Sequence, residues 1–146
     1  MTQTLRQRCH AVLARAACTE LETAWQRLNA PRHAVVRAPE IGMVMLRGRI
    51  GGTGDPFNFG EATVTRCAVQ LAGGALGLGC VLGRDPRKAE LVAAFDALIQ
   101  DETRAAEVQA SVVEPLARAQ AQAGEMASRA AASTKVEFFT LVRGEA

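Results

Sequence analysis

Aromatic side chains are scarce in this sequence. Tyrosine is absent, Trp25 is the single tryptophan, and aromatics make up 4% of 146 residues. Surfaces that hold single-stranded nucleic acid stack bases on aromatic rings, and this chain has few to offer. The formal charge is only +2, too small for the basic field that a nucleic-acid partner requires. Long apolar runs are missing as well: no run reaches the roughly 18 residues that read as a membrane span. The opening residues, MTQTLRQRCH, hold no apolar signal-peptide segment. Cysteine is limited to Cys9, Cys18, Cys67 and Cys80, with no C-x-x-C pair. His10 and His33 complete no zinc spacing and read as surface or packing residues. The expectation is a cytoplasmic protein with reduced thiols, no nucleic-acid or membrane partner, and no metal site.

What is present describes one domain, residues 1–146. A chain of this length buries roughly 68–70% of its unfolded surface without staples, and the abundance of alanine points to closely packed helices. The expected fold class is α+β, with helices over about 4–29, a sheet over about 33–82, helices over about 86–132 and a terminal strand over about 135–143. The sheet is expected to be mainly antiparallel with four to five strands.

The first helical region divides in two. Leu5, Cys9, Val12, Leu13 and Ala16 recur at helical spacing. Thr19 stands three residues before Glu22 in a capping-box pattern, and Leu21, Ala24, Trp25 and Leu28 share a face before Asn29-Ala30-Pro31 ends the helix. Residues 33–38 and 42–50 read as two strands separated by Pro39-Glu40. In the second, Val44, Leu46, Gly48 and Ile50 are the expected core face, and Met43, Met45, Arg47 and Arg49 the other. Residues 62–71 alternate as a strand, with Thr63, Thr65, Cys67, Val69 and Leu71 on one face. A turn at 72–75 leads to a strand over 75–82, where Gly77 and Gly79 leave one face bare for a helix or a neighbouring chain. Asp85 and Pro86 fit the N-cap and first turn of a helix whose stripe is Leu91, Val92, Phe95, Leu98 and Ile99. The helical run that follows, restarted at Pro115, has a thin apolar face of Val108, Val112, Leu116, Ala123 and Met126, which suits packing on another subunit. The tail, KVEFFTLVRGEA, is apolar on both faces, as a central strand or an arm inserted into a partner would be.

Leu46 to Arg84 is the stretch around which the rest is arranged. It holds GGTGDPFNFGE over residues 51–61, with arginines at Arg47, Arg49, Arg66 and Arg84. Gly51, Gly52 and Gly54 around Thr53 permit positive φ and close approach of a ligand or a backbone. This is no P-loop, since the G-K-[ST] ending is missing, and no dinucleotide fingerprint. Loop N–H groups with nearby arginines suit a phosphate or phosphonate; a structural β-loop with surface arginines suits them too. Arg84 stands before a helix start, an anion-friendly position, and reads equally well as a surface residue in a capping turn. Phe57 and Phe59 in such a loop either plug the domain's own core or anchor a partner. Cys67 and Cys80 fall on faces expected to be buried. No Ser/His/Asp set emerges, and carboxylate pairs are scattered along helices, where solvated faces explain them, so no catalytic residue is assigned.

The same stretches resemble the PhnG family, the G subunits of the bacterial carbon–phosphorus lyase core complex. The resemblance is carried by R-x-G-G-T-G at Arg49 to Gly54, Phe57, Gly60 and A-T-x-T-R at Ala62 to Arg66. Ala68-Val69, G-R-D at Gly83 to Asp85, Ala89-Glu90 and V-E-F-F-T-L-V-R-G-E at Val136 to Glu145 continue it. It implies a subunit that works beside H, I and J subunits, with I the most direct partner, and an ATP-binding-cassette-like protein. The reaction it implies is transfer of an alkylphosphonate to ribose C1 of ATP with release of adenine. ATP with magnesium is then a substrate of the complex, and this chain alone binds no cofactor. Arg47, Arg49, Gly51, Gly52, Thr53, Gly54, Arg66 and Arg84 are the expected anion-facing or partner-facing residues. Phe57, Phe59, Phe138, Phe139, Leu141 and Arg143 are the expected interface. The alternatives are a purely structural assembly subunit and a free-standing anion-binding module.

Overall fold

Thr4 opens the first helix by chemistry that the backbone demands. Its hydroxyl accepts the Gln7 N–H at 3.2 Å and the Gln7 side chain accepts the Thr4 N–H at 2.9 Å, so two otherwise orphaned donors are satisfied reciprocally. The computed structural model describes residues 4–135. The elements are α1 (Leu5–Leu13), α2 (Cys18–Arg27), β1 (His33–Arg49), β2 (Pro56–Leu71), β3 (Leu76–Leu82), α3 (Pro86–Ile99), α4 (Glu102–Val108) and α5 (Glu114–Ser133). A single 3₁₀ turn, Ile50–Gly52, joins β1 to β2, and a π-helical turn, Gln109–Val113, joins α4 to α5. The expectations for Phe138, Phe139, Leu141, Arg143 and the terminal strand lie outside the described residues.

The fold is α+β. Its sheet has three antiparallel strands among the described residues, in the order β1-β2-β3, fewer than the four to five expected. The main reason is that residues 33–38 and 42–50 are not separate strands. Pro39 is absorbed by register shifts between Val35 and Arg37 and between Arg37 and Glu40. It sits on an edge strand, where a missing N–H removes no ladder bond. The loop is correspondingly shorter than 51–61. β2 begins at Pro56, so Phe57 and Phe59 are strand residues.

The core lies between one sheet face and the helices. Thr65, Cys67, Val69 and Leu71 of β2 point inward as the alternation requires, and Val81 of β3 joins them. α3 lies against β3, where the glycines leave room: a Cβ on Gly77 or Gly79 would overlap the carbonyl oxygen of Ala93 or Ala89. The bulky neighbour expected on the bare strand face is therefore this chain's own helix. Asp85 caps α3 by accepting the Lys88 N–H at 2.9 Å, and every residue from Leu91 to Leu98 is buried. Phe95 meets Trp25 edge-on with ring centroids 5.0 Å apart. Burial of each large apolar side chain here contributes roughly 1.5–3 kcal/mol.

Three expectations are corrected. α2 begins one residue before Thr19, and its first turn is capped by Glu20, whose carboxylate accepts the Ala17 N–H at 2.9 Å. Thr19 lies inside the helix. Cys80 is exposed, because Gly77 and Gly79 take the helix-facing side of β3 and turn Leu76, Leu78, Cys80 and Leu82 outward. Val44, Leu46 and Gly48 are only half-buried and Ile50 is exposed, because the register sets Ile41 opposite inward-facing Thr65 and Val44 opposite Ala62, which puts the Val44 set on the sheet face turned away from the helices.

The π turn has a local cause. In an α-helix the Pro115 ring would clash with the carbonyl of the residue four before it, and one wide turn ahead of Pro115 avoids this. From Ala121 to Lys135 every residue is exposed, so α5 leaves the body after Gln120, whose side chain donates to the Val12 carbonyl at 2.9 Å.

Candidate functional site

The Gly-rich segment is the tip of the β1–β2 ribbon. Gly51 and Gly52 both have positive φ, 60° and 78°, which explains glycine at each. The turn folds upon itself. The N–H groups of Thr53 and Gly54 both donate to the Ile50 carbonyl, and Arg49 Nη1 donates to the Gly54 carbonyl at 2.9 Å. Arg47, Gly48, Arg49 and Pro56 line a shallow depression of about 410 Å³ at this tip.

The structure brings Arg47 and Arg49 together with Gly51, Gly52, Thr53 and Gly54. It does not bring Arg66 or Arg84 to them. Arg47 stands opposite Asn58, and Arg66 is eight residues further along β2, a separation of about 26 Å along the strand. Arg66 lies on the opposite sheet face, with its guanidinium 3.5 Å from where a Gly42 Cβ would stand. Arg84 follows β3, where the Gly83 N–H donates to the Thr63 carbonyl at 2.8 Å. Phe57 and Phe59 form a tilted pair 6.1 Å apart. Phe59 packs over bare Gly48, within 3.2 Å of where its Cβ would be. Both rings lie on the outward face of the ribbon and stay exposed, at 44% and 59%.

The outward face of the sheet is uncovered among the described residues. Val36, Leu76, Leu78 and Leu82 are exposed there, Leu82 at 71%. With Phe57 and Phe59 of the ribbon these side chains give the sheet an exposed apolar face, a feature that marks interaction surfaces.

Sequence reading missed two polar residues at the centre of the packing. Thr65 is fully buried. Its hydroxyl donates to the Gly83 carbonyl at 2.7 Å and accepts the Asp85 N–H at 3.1 Å, which clasps the start of α3 to β2. A polar residue on the inward-facing set of an alternating strand was the available signal. Asp96, also buried, accepts Arg6 Nε at 2.7 Å, Arg6 Nη2 at 2.6 Å and the Leu78 N–H at 2.9 Å. The hydrogen bond to Asp96 raises the Arg6 guanidinium above its ordinary value. A carboxylate inside the apolar stripe of α3 was the signal there.

The remaining titratable groups have structural partners. His33 Nε2 lies 2.7 Å from Glu90 Oε1, and its ring meets Trp25 edge-on at 5.7 Å. His10 Nε2 lies 3.3 Å from the Cys80 carbonyl. Burial pushes the Cys9 and Cys67 thiols up from their ordinary value, so they stay protonated and unreactive. Among the described residues no three metal-ligating side chains converge, and no helix is long and apolar enough to cross a membrane.

Comparison with known proteins assigns the sequence to a family. The family described as phosphonate metabolism protein PhnG matches residues 4–144. The chain belongs to the PhnG family. A curated relative from Rhizobium meliloti (strain 1021), the alpha-D-ribose 1-methylphosphonate 5-triphosphate synthase subunit PhnG, is 50% identical over 135 residues. The match covers 92% of this chain and 86% of the relative.

Several of the residues that carry the PhnG resemblance are thereby explained as structure. Thr65 and the Gly83-Arg84-Asp85 run make the clasp, with Gly83 at φ 86°. Ala89 is the small residue that faces Gly79, and Glu90 holds His33. Replacing Thr65 with valine keeps the shape and strands the Gly83 carbonyl and the Asp85 N–H. The expected loss is about 1–3 kcal/mol, read as a lower urea midpoint, with Thr65→Ser recovering most of it. An unchanged midpoint in Thr65→Val would show that the clasp contributes nothing.

Proposed function

We propose that this PhnG-family chain is a subunit of an alpha-D-ribose 1-methylphosphonate 5-triphosphate synthase. The single observation that carries this is the 50% identity to the Rhizobium meliloti subunit over 92% of the chain. The complex it serves transfers an alkylphosphonate to ribose C1 of ATP and releases adenine, with ATP and magnesium supplied as substrate. Its partners are H, I and J subunits, with I the most direct, and an ATP-binding-cassette-like protein. The compartment is the cytoplasm.

Within that reading the chain stabilises and shapes its partner rather than performing the chemistry. The loop geometry supports this. The N–H groups of Thr53 and Gly54 are engaged within the turn, and the four arginines do not converge on one point. The exposed apolar surface of ribbon and sheet supplies what an obligate subunit needs. Alanine at Arg47, Arg49, Arg66 and Arg84, each placed singly in the reconstituted synthase, tests the role. The expected result is unchanged kcat and unchanged KM for ATP and phosphonate, with any loss appearing in the yield of assembled complex. A tenfold or larger rise in KM from any one arginine, on the order of 1.4 kcal/mol, would instead assign that residue to the substrate.

A further inference from the structure

The two edges of the sheet are treated differently. β3 is closed along its outer edge by side chains. Gln100 donates to the Leu76 carbonyl at 2.8 Å, Asp96 accepts the Leu78 N–H at 2.9 Å, and His10 lies 3.3 Å from the Cys80 carbonyl. β1 is the other edge. Its first half is blunted by Pro39 and two register shifts, devices that natural sheets use against stray pairing. Residues 41–46 carry none of these. They pair with β2 in unbroken register, from Ile41 opposite Thr65 to Leu46 opposite Gly60. No side chain bonds their backbone among the described residues. Among the described residues this is an open stretch of six, about 20 Å long, a ready template for an added strand.

The side chains around this stretch specify what it receives. Ile41, Met43 and Met45 are 49%, 61% and 55% exposed and share one face. Arg47 and Arg49 continue that face and meet no carboxylate in any ion pair among the described residues. We propose that the outer edge of β1 at residues 41–46 accepts an extended strand of a partner subunit, with apolar residues against Ile41, Met43 and Met45 and carboxylates beside Arg47 and Arg49. Main-chain bonds supply the affinity in such strand addition, and alternate side chains supply the choice of partner. A second copy of this chain fits less well. Two β1 edges paired antiparallel through residues 41–46, centred on Met43 or Val44, set Arg47 opposite Pro39 or Ile41 and leave both arginines without a carboxylate. The proposal rests on the subunit reading above and names the surface through which it acts.

The experiment is amide hydrogen exchange on residues 41–46, in the isolated chain and in the synthase complex assembled by co-expression with its partner subunits. Light scattering reports assembly separately. The expected result is a slowing of exchange at the outward amides of 41–46 on the order of tenfold or more in the complex, with Val81 of the core unchanged. Arg47→Glu together with Arg49→Glu is expected to weaken assembly roughly tenfold at low salt and less at high salt. A complex that assembles while 41–46 exchange as they do in the isolated chain overturns the strand addition and leaves the subunit reading intact. A chain that ignores its partner subunits overturns both. Protection already present in the isolated chain also overturns it. Loss of that protection on truncation after Lys135 would assign the edge to this chain's own C-terminal segment, and dependence on protein concentration to a second copy.

Discussion

Replacing Gly77 with alanine is expected to lower stability by about 3 kcal/mol or more, with a fall in Tm on the order of 10 °C for a chain of this size. The added Cβ would overlap the Ala93 carbonyl oxygen and stand 2.5 Å from the Ala97 nitrogen. Both obstacles are helix backbone, so no rotamer change relieves them. α3 must move off the sheet, and with it go the contacts of Phe95, Leu91 and Val92, all fully buried. Gly79→Ala meets the Ala89 carbonyl in the same way and should behave alike. Gly124→Ala is the control. It lies on the exposed part of α5 with nothing within 4 Å of the new carbon, and the gain in helix propensity should stabilise by about 0.5–1 kcal/mol. Thermal unfolding of the three variants decides the matter. Gly77→Ala melting with the parent chain would mean that the close approach of α3 to β3 is not how the two elements pack.

Replacing Asp96 with alanine has the second large effect, expected at about 2–4 kcal/mol. The carboxylate is buried and bonds three N–H groups, two from Arg6 and one from Leu78. Its loss releases α1 from α3 and leaves the Leu78 N–H without an acceptor. Asp96→Asn keeps an oxygen for Leu78 and gives up the paired charge, so about half of the effect is expected. Arg6, whose side chain is 47% exposed, can return to water in either variant, which limits the cost. Amide exchange separates the two contributions. Leu78 should exchange much faster in Asp96→Ala and little faster in Asp96→Asn. Equal rates in both variants would show that Asp96 does not hold the β3 edge. Since that edge is otherwise closed, Asp96→Ala should also aggregate more readily than the parent, through strand pairing at β3.

Of the residues behind these two effects, the glycines stood out along the chain and Asp96 did not. The bare face at Gly77 and Gly79 was legible as a place for something bulky, because a strand that alternates leucine with glycine has one face to cover. Whether a helix or another chain covered it was not legible, since that depends on which element returns to that face. The leucines of β3 show the same limit. Alternation placed Leu76, Leu78, Cys80 and Leu82 on one face correctly, but the usual rule that the apolar face is the inner one failed. Here close backbone packing claimed the glycine face and left the leucines outside, where a partner can use them.

The candidate site divides in the same way. Glycine permits positive φ at Gly51, Gly52 and Gly54, and the turn uses it at Gly51 and Gly52. The neighbours of Arg66 and Arg84 were not legible, because sequence proximity to a loop says nothing about how far a ribbon extends. The arginines looked clustered only because a long hairpin brings its two strands side by side while carrying its tip far from its base.

What the sequence by itself determined is what local chemistry controls. That includes two short helices before the sheet, the face shared by Thr63, Thr65, Cys67, Val69 and Leu71, the Asp85-Pro86 start of α3 and its buried stripe. Membership of the PhnG family was legible as well, since motif residues spread from Arg49 to Glu145 carry it. These follow from side-chain periodicity, capping and backbone freedom, all of which act within a few residues. Only the tertiary structure decided that β1 is one strand, that the sheet buries its glycine face, and that Thr65 and Asp96 are clasps. It also decided that residues 41–46 form an open edge among the described residues, because long-range packing and strand order determine which surfaces and which backbone groups are left over.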